Sequence, residues 1–257
     1  MPAADPRVIR VATYNVLDPG LDTLAPWEER RANIARTIEG AAPGILALQE
    51  AGWARVMDDV TLAEDVARLT GLTLSRAAFS GDAVLFDPRA WIPLEHGHFR
   101  LPRARGDIRR SAVWHRLRDA HTGESLLVVA THLSHSPRRA RARRRQARAL
   151  VRRIRCINRA RLPVVVVGDL NSWPGRDPVT PMDVLAEAGY RDARESEAPA
   201  ENAHLGTWVG GGRGLRLDHI AVSARVTVLR TRVEDPPLDG PASDHRMLWA
   251  DLVVAGP

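Results

Sequence analysis

Eight side chains able to do chemistry stand at or near the ends of apolar runs: Asn15, Glu50, His132, Asp169, Asn171, Asp218, Asp244 and His245. Four carboxylates, two amides and two imidazoles make a donor set dominated by oxygen, in a chain whose only cysteine is Cys156. Such a set suits a hard cation, Mg2+ or Mn2+, rather than zinc, and hard-cation sites of this kind commonly handle phosphate. The clearest of these ends follows four consecutive valines at 164–167. β-Branched residues without polar interruption read as a strand buried on both faces. Gly168 then lets the backbone leave without a Cβ clash. Because side chains alternate in extended chain, Asp169 and Asn171 point the same way at the strand's mouth, a carboxylate beside a neutral amide. Gly, Asp and Asn are also ordinary turn residues, so this stretch alone does not define a site. The recurrence of polar strand ends along the chain does.

Strands and helices must hold those ends. Residues 8–16 read as a first strand presenting Asn15, and 44–50 as a second, buried one ending in Glu50. Between them, 27–39 fits an amphipathic helix with Trp27, Ile34 and Ile38 on one side, Glu28, Glu29, Arg30 and Arg31 away from it, and Pro26 near its start. A second helix is expected over 52–69. Short strands follow near 72–79, 82–87, 110–118 and 124–132, with turns at Asp87-Pro88 and His121-Thr122-Gly123. The last of these strands delivers His132, with His135 three residues on. Beyond the valine strand, 181–189 is a short helix. Strands resume at 206–209, 215–222, 225–232 and 246–254, with a glycine-rich hairpin at 210–212. Alternating strands and helices place strand ends on one rim of a sheet, where α/β proteins keep their sites.

Composition narrows the class. No linker rich in Gly/Ser or Pro divides the 257 residues, which read as one domain over 1–257. No apolar run approaches a membrane span and the first residues carry no apolar signal core, so a cytoplasmic location without membrane insertion is expected, with no obligate protein partner. A single cysteine excludes an intrachain disulfide and a cysteine-based zinc site. Every basic residue is arginine, a bias that weakens arguments from arginine content. The net charge of +6 is also uneven: 138–161 holds twelve arginines and no acid, so the rest of the chain is net −6. There Ala147, Leu150, Val151 and Ile154 form one helical face. Arg141, Arg145, Arg148, Arg152, Arg155 and Arg159 recur on the other. Like charges four apart cost a few tenths of a kcal/mol each, which an anionic partner would relieve. A solvated surface helix is the favoured reading.

In order, T-Y-N-V (13–16), L-Q-E (48–50), T-H-L-S-H (131–135), G-D-L-N-S (168–172), R-L-D-H-I (216–220) and S-D-H (243–245) resemble the motifs of the endonuclease/exonuclease/phosphatase superfamily. The resemblance spans residues 8–254. It implies an α/β fold, a four-layer α/β/β/α sandwich of two mixed sheets face to face, built from two similar halves, and metal-dependent phosphoester hydrolysis. Carried over residue by residue, it makes Glu50 the principal ligand of Mg2+ or Mn2+, helped by Asn15 and Asp244. Asp169 matches the residue that activates or positions the attacking water, and Asn171 orients that water or a phosphate oxygen. His132 and His245 match the pair flanking the phosphate, with Asp218 orienting His245. These roles fit phosphoryl transfer, which needs charge neutralisation and in-line positioning. Two positions depart from the pattern. Leu17 stands where some members carry an aspartate, which leaves one main metal site. Asp82 stands where asparagine is frequent; it supports His132 or, in the favoured reading, solvates a strand start.

For substrate, His132 in place of the residue type found in abasic-site nucleases brings the chain nearer the deoxyribonuclease, sphingomyelinase and small-phosphatase branches. The expectation is a phosphomonoester or phosphodiester of a soluble organic compound. A nucleic acid, hydrolysed by an endonuclease or exonuclease, is the alternative. A catalytically silent binding protein of the same fold is disfavoured by the intact set of eight polar residues.

Overall fold

The valine run divides its side chains between two cores. Val165 and Val167 pack into one cluster, Val164 and Val166 into another, and all four are at most 3% exposed. A strand buried on both faces belongs inside a layered structure, and the computed structural model has that form. It describes residues 7–21, 25–52, 55–56, 59–75, 81–173, 175–209, 214–235 and 242–255.

Among the described residues the strands are β1 (Ile9–Asn15), β2 (Ile45–Gln49), β3 (Arg55–Val56), β4 (Val60–Thr61), β5 (Thr73–Ser75), β6 (Ala83–Phe86), β7 (Trp91–Arg100), β8 (Ser111–Asp119), β9 (Ser125–His132), β10 (Val164–Asp169), β11 (Arg191–Asp192), β12 (Ala200–Glu201), β13 (Asp218–Val222), β14 (Val226–Val233) and β15 (Leu248–Val254). The helices are α1 (Trp27–Ala41), α2 (Leu62–Thr70), α3 (Ala140–Ile157) and α4 (Pro181–Glu187). One sheet has the order β12-β14-β15-β1-β2-β6-β5, the other β11-β13-β10-β9-β8-β7. Both are mixed. Each has one parallel pair at its centre, β1 with β2 and β9 with β10, flanked by antiparallel strands.

Three cores give four layers. Val11, Ile45, Val84, Val128, Val165 and Ile220 fill the space between the sheets. Trp27, Ile34, Ile38, Leu62 and Val66 of α1 and α2 cover the outer face of the first sheet, against Tyr14, Leu46 and Leu48. Ala147, Leu150 and Ile154 of α3 and Leu185 of α4 cover the second, against Leu127, Val129, Val164 and Val166. Parallel strands need helical crossovers, and α1 and α3 supply them between the two strands of each central pair. This is the α/β/β/α sandwich that the motifs implied. No helix among the described residues is long and apolar enough to cross a membrane.

Local structure departs from the sequence pattern in four places. The helix expected over 52–69 begins only at Leu62, because Thr61 and Glu64 form a reciprocal capping box that fixes its first turn. Before it, β3 and β4 pair antiparallel, Arg55 with Thr61 and Val56 with Val60. Strand β7 has no counterpart in the sequence pattern: it is an edge strand, exposed along most of its length and bulged between Pro93 and Glu95, so it lacks a buried face to pattern it. Trp208 makes only isolated bridges, to Leu215 and His245, instead of a strand over 206–209, and β13 starts at Asp218 rather than 215. The short pairings β11 and β12 fall where a polar loop is expected after Tyr190. The hairpin at 210–212, and 76–79 of the strand expected over 72–79, lie outside the described residues.

Candidate active site

The register of the sheets sets out the site. At the end of the first parallel pair Asn15 lies opposite Gln49, and Glu50 follows. At the end of the second, His132 lies opposite Asp169, which on its other side faces Asp218 of β13. Gly168 sits at φ +140°, and a Cβ there would fall 1.9 Å from the Thr131 carbonyl oxygen, so only glycine permits this turn-out of the strand. Leu17, Glu50 and Asn171 all adopt left-handed backbone at φ 58°, 62° and 48°. All three line one cleft of about 650 Å3. Strained non-glycine residues gathered in one cavity are the usual mark of a constrained site.

Six of the eight residues singled out from the sequence, Glu50, His132, Asp169, Asn171, Asp244 and His245, line that cleft. Asn15 and Asp218 stand behind it, each bonded to a lining residue. Asn15 Nδ2 donates to Glu50 Oε1 at 3.0 Å and to Asp169 Oδ2 at 3.4 Å, while its Oδ1 accepts the Leu17 amide. The other Glu50 oxygen accepts the Asp18 amide at 2.9 Å. Asp218 Oδ2 accepts from His245 Nδ1 at 2.7 Å, and its backbone N–H donates to Thr207 Oγ1. Ser243 joins the two ends of the chain: its hydroxyl donates to the Asn15 carbonyl at 2.6 Å and accepts the His245 amide. Asp169 is the hub. Its Oδ1 accepts the Asn171 amide at 2.8 Å, and its Oδ2 lies 3.3 Å from His132 Nε2 and 3.9 Å from His245 Nε2.

Burial governs the electrostatics. Asp169 is 2% exposed, and desolvation, with Asp218 adding to it, pushes its carboxyl up to about 7. Burial works against charging His245, but Asp218, Asp169 and Asp244 together outweigh it and push the imidazole up to about 10. His132 goes the other way: burial, reinforced by Arg110 and His245, holds it well below the usual range, so it is neutral.

Two sets of side chains carry donor atoms of the kind that hold a cation. Asp169, Asp218 and His245 offer three atoms within 4.8 Å of one another. In that group His245 Nδ1 and Asp218 Oδ2 already satisfy each other, while Asp218 Oδ1 is buried with no hydrogen-bond partner among the described residues. Glu50 and Asp244 both line the cleft, and Asp244 Oδ1 is likewise buried with no hydrogen-bond partner among the described residues. An orphaned carboxylate oxygen is costly unless a cation or water takes it.

Several side chains of the site carry no signal in the sequence. Arg30, expected on the solvent side of its helix, is 1% exposed. It donates to the carbonyls of Val16, Leu17, Ala25 and Ala242, tying the segment after Asn15 to the one before Asp244. Arg110, 6% exposed, lines the cleft, donates to His135 Nδ1 at 3.2 Å, and has no carboxylate of a described residue within ion-pair distance. Trp173 and Trp208 line the cleft beside them, with Trp208 Nε1 donating to Asp244 Oδ2 at 3.1 Å. No local pattern marks a buried arginine in so arginine-rich a chain, and neither Asn-Ser-Trp-Pro (171–174) nor Gly-Thr-Trp-Val (206–209) marks its tryptophan as part of a cleft.

A sandwich whose parallel pairs deliver carboxylates and histidines to one cleft is the architecture of a phosphoester hydrolase. The sequence profile of the Endonuclease/Exonuclease/phosphatase family matches residues 12–245, and the chain belongs to that family of hydrolytic phosphoesterases. No curated protein sequence matches it. Among solved structures it is similar to an endonuclease/exonuclease/phosphatase family protein from Bacteroides thetaiotaomicron, at 20% identity over 98% of this chain and 100% of that one, TM-score 0.82. It is also similar to the mannosyl-6-phosphatase of the same organism, at 20% identity over 95% and 99%, TM-score 0.77. D. rerio TDP2, solved with a single-strand DNA product, aligns at 19% identity over 95% and 98%, TM-score 0.68. At these identities the likeness is one of fold.

Proposed function

We propose that this protein is a metal-dependent phosphoester hydrolase acting on a phosphomonoester or phosphodiester of a soluble organic compound. The observation that carries the reading is the convergence of Glu50 and Asp244 with Asp169, Asn171, His132 and His245 on one cleft. Glu50 and Asp244 would hold Mg2+ or Mn2+, with Asn15 orienting Glu50 from behind. The orphaned Asp244 Oδ1 and the oxygen-rich donor set fit a hard cation. When bound, such an ion neutralises charge building on the phosphoryl oxygens and the leaving group.

The rest falls to the chain. Asp169, raised towards neutrality and fixed by the Asn171 amide, is poised to take a proton from an attacking water near pH 7. Asn171 Nδ2 donates to the Leu133 carbonyl at 3.2 Å, and so held its amide would orient the water or a phosphate oxygen. His245, held as imidazolium by Asp218, offers its Nε2 proton to phosphate oxygen, and neutral His132 flanks the other side. Arg110, buried and with no carboxylate of a described residue within ion-pair distance, would offer its charge to an entering phosphate. The fold neighbours act on varied esters: one is a mannosyl-6-phosphatase and another a 2′,3′-cyclic phosphatase. A chromogenic phosphomonoester and phosphodiester, assayed beside plasmid DNA with Mg2+, with Mn2+ and with chelator, test the reading. Turnover of a small ester that stops on chelation is expected; turnover that persists after exhaustive chelation overturns it.

A further inference from the structure

Both crossover helices bury an arginine at the same place. Arg30 is the fourth residue of α1 and Arg143 the fourth of α3, and they are 1% and 0% exposed. A cation in the first turn of a helix meets the unfavourable end of its dipole, and a buried one has lost its water as well. Helix stability therefore accounts for neither residue.

Their partners do. Arg30 donates to the carbonyls of Val16 and Leu17 at 2.8 and 3.0 Å. Those oxygens belong to the two peptide units whose N–H groups hold the site: the Leu17 amide donates to Asn15 Oδ1 and the Asp18 amide to Glu50 Oε2. A peptide unit is planar, so fixing its oxygen aims its N–H. Two further bonds reach Ala25 and, two residues before Asp244, Ala242. Arg143 does the same in the second half with all five of its donors. It grips both oxygens of Asp177 and the carbonyls of Ser134, Ser136 and Pro137. These partners flank Asn171. The carbonyl of Leu133, next to Ser134, accepts from Asn171 Nδ2, and Asp177 Oδ2 accepts the amide of Trp173, two residues past Asn171. Each clamped region holds a left-handed non-glycine residue, Leu17 or Asn171, and such backbone persists only where its surroundings over-determine it.

Resting on the phosphoesterase reading for what the groups do, we infer that Arg30 and Arg143 are equivalent positioning residues, each aligning the strand-end groups of its own half. Arg30 serves Asn15, Glu50 and Asp244, and Arg143 serves Asn171. Neither arginine lines the cleft, so both act through the backbone they hold. Lysine would keep the charge but carries three donors on one atom, too few to span these acceptors.

Single lysine replacements test the division. Arg143→Lys should lower kcat for a small phosphoester by roughly ten- to a hundredfold, as a small misplacement of a reacting group does. Its calorimetric Kd for Mn2+ should stay within about threefold of native. Arg30→Lys should weaken Mn2+ binding by about 10–100-fold, the usual cost of losing a residue that orients metal ligands, while kcat at saturating Mn2+ changes far less. In an Asn171→Ala background, Arg143→Lys should add less than about threefold to the loss, since both changes act on one group. NMR of the metal-free protein reads position without turnover. The Asn171 side-chain amide signals should move in Arg143→Lys and those of Asn15 in Arg30→Lys, and not the reverse. Thermal melting establishes that each variant is folded; where a lysine variant is not, Asp177→Asn carries the Arg143 arm and Arg30→Gln the other. Equal losses of kcat and of Mn2+ affinity in both variants, or amide signals that stay in place, overturn the inference and leave the arginines as supports of the fold alone. If native protein turns over no ester, the hydrolase reading fails and the amide signals by themselves decide the inference.

Discussion

The two sheets reach the same cleft by the same device, a central parallel pair whose strands end in polar residues, yet they arrive with different chemistry. The β1–β2 pair delivers Asn15 and Glu50, and the Glu50 side chain stays 19% exposed. The β9–β10 pair, with β13 beside it, delivers His132, Asp169 and Asp218, none more than 5% exposed. Buried titratable groups depart from their ordinary behaviour, and Asp169 and His132 do so in opposite senses because desolvation disfavours whichever form is charged. A partly exposed carboxylate held by two amide donors is instead fit for an ion that must enter from water. On the proposed function, the more exposed β1–β2 end would serve the cation and the buried β9–β10 end the protons.

The sharpest way to break that comparison is to disable the first half alone. Glu50→Ala removes the strand-end carboxylate of that half, and kcat/KM should fall by about three orders of magnitude or more. Calorimetry with Mn2+ should show the affinity lost, while His132 and His245 keep their titration by NMR. Retained metal binding in this variant would move the cation to the Asp169, Asp218 and His245 group.

Within the second half, Asp218→Asn keeps the shape of the pair but removes the charge that sustains the His245 imidazolium. Turnover should drop by about a hundredfold, a common share for acid–base catalysis, with little change in KM. His245→Ala combined with it should be hardly worse than His245→Ala alone, since the two act as a unit. Stability carries a second signature. A histidine raised to about 10 when folded contributes stability that is whole below its ordinary value of 6.5 and is lost as pH rises from there to about 10. Denaturation of metal-free protein should thus show the gap between native and variant widest below pH 6 and closing by pH 10. A gap independent of pH would mean that Asp218 serves packing only.

The same contrast explains which parts of the site the sequence discloses. Polar residues that end uninterrupted apolar strands stand out, as Glu50 does after 44–48 and Asp169 after the valines, because the run itself announces a buried strand. The burial of β10 on both faces is legible for the same reason. Arg30 and Arg110 are not, because burial of an arginine is decided by carbonyls and a histidine from distant segments, Ala242 and His135 among them. Strand β7 stays hidden because an edge with Pro93 inside it and solvent on most side chains has no periodicity to detect. Trp173 and Trp208 meet across 35 positions of chain, which only the fold brings about.

The smallest effect is expected far from both halves, on α3. Its buried face includes Arg143, whose charge Asp177 answers, but Arg148, Arg152 and Arg155 on the helix and Arg159 just beyond it are exposed and have no ion-pair partner among the described residues. Pro137, just before the helix, lines the cleft, so a small ester can meet only the start of this segment. A polyanion lying along the surface could follow it further. Replacing all four arginines with glutamine should leave hydrolysis of a small phosphoester unchanged within twofold. It should raise stability at low salt by a few tenths of a kcal/mol as like-charge repulsion is removed, a gain that fades in high salt. Binding to DNA is expected to be weak before and after. If native protein instead binds DNA with a steep salt dependence, and the log–log slope flattens by roughly 0.7–0.9 for every phosphate that the variant leaves unneutralised, the helix is a nucleic-acid surface. That outcome would turn the small-ester reading into that of a nuclease.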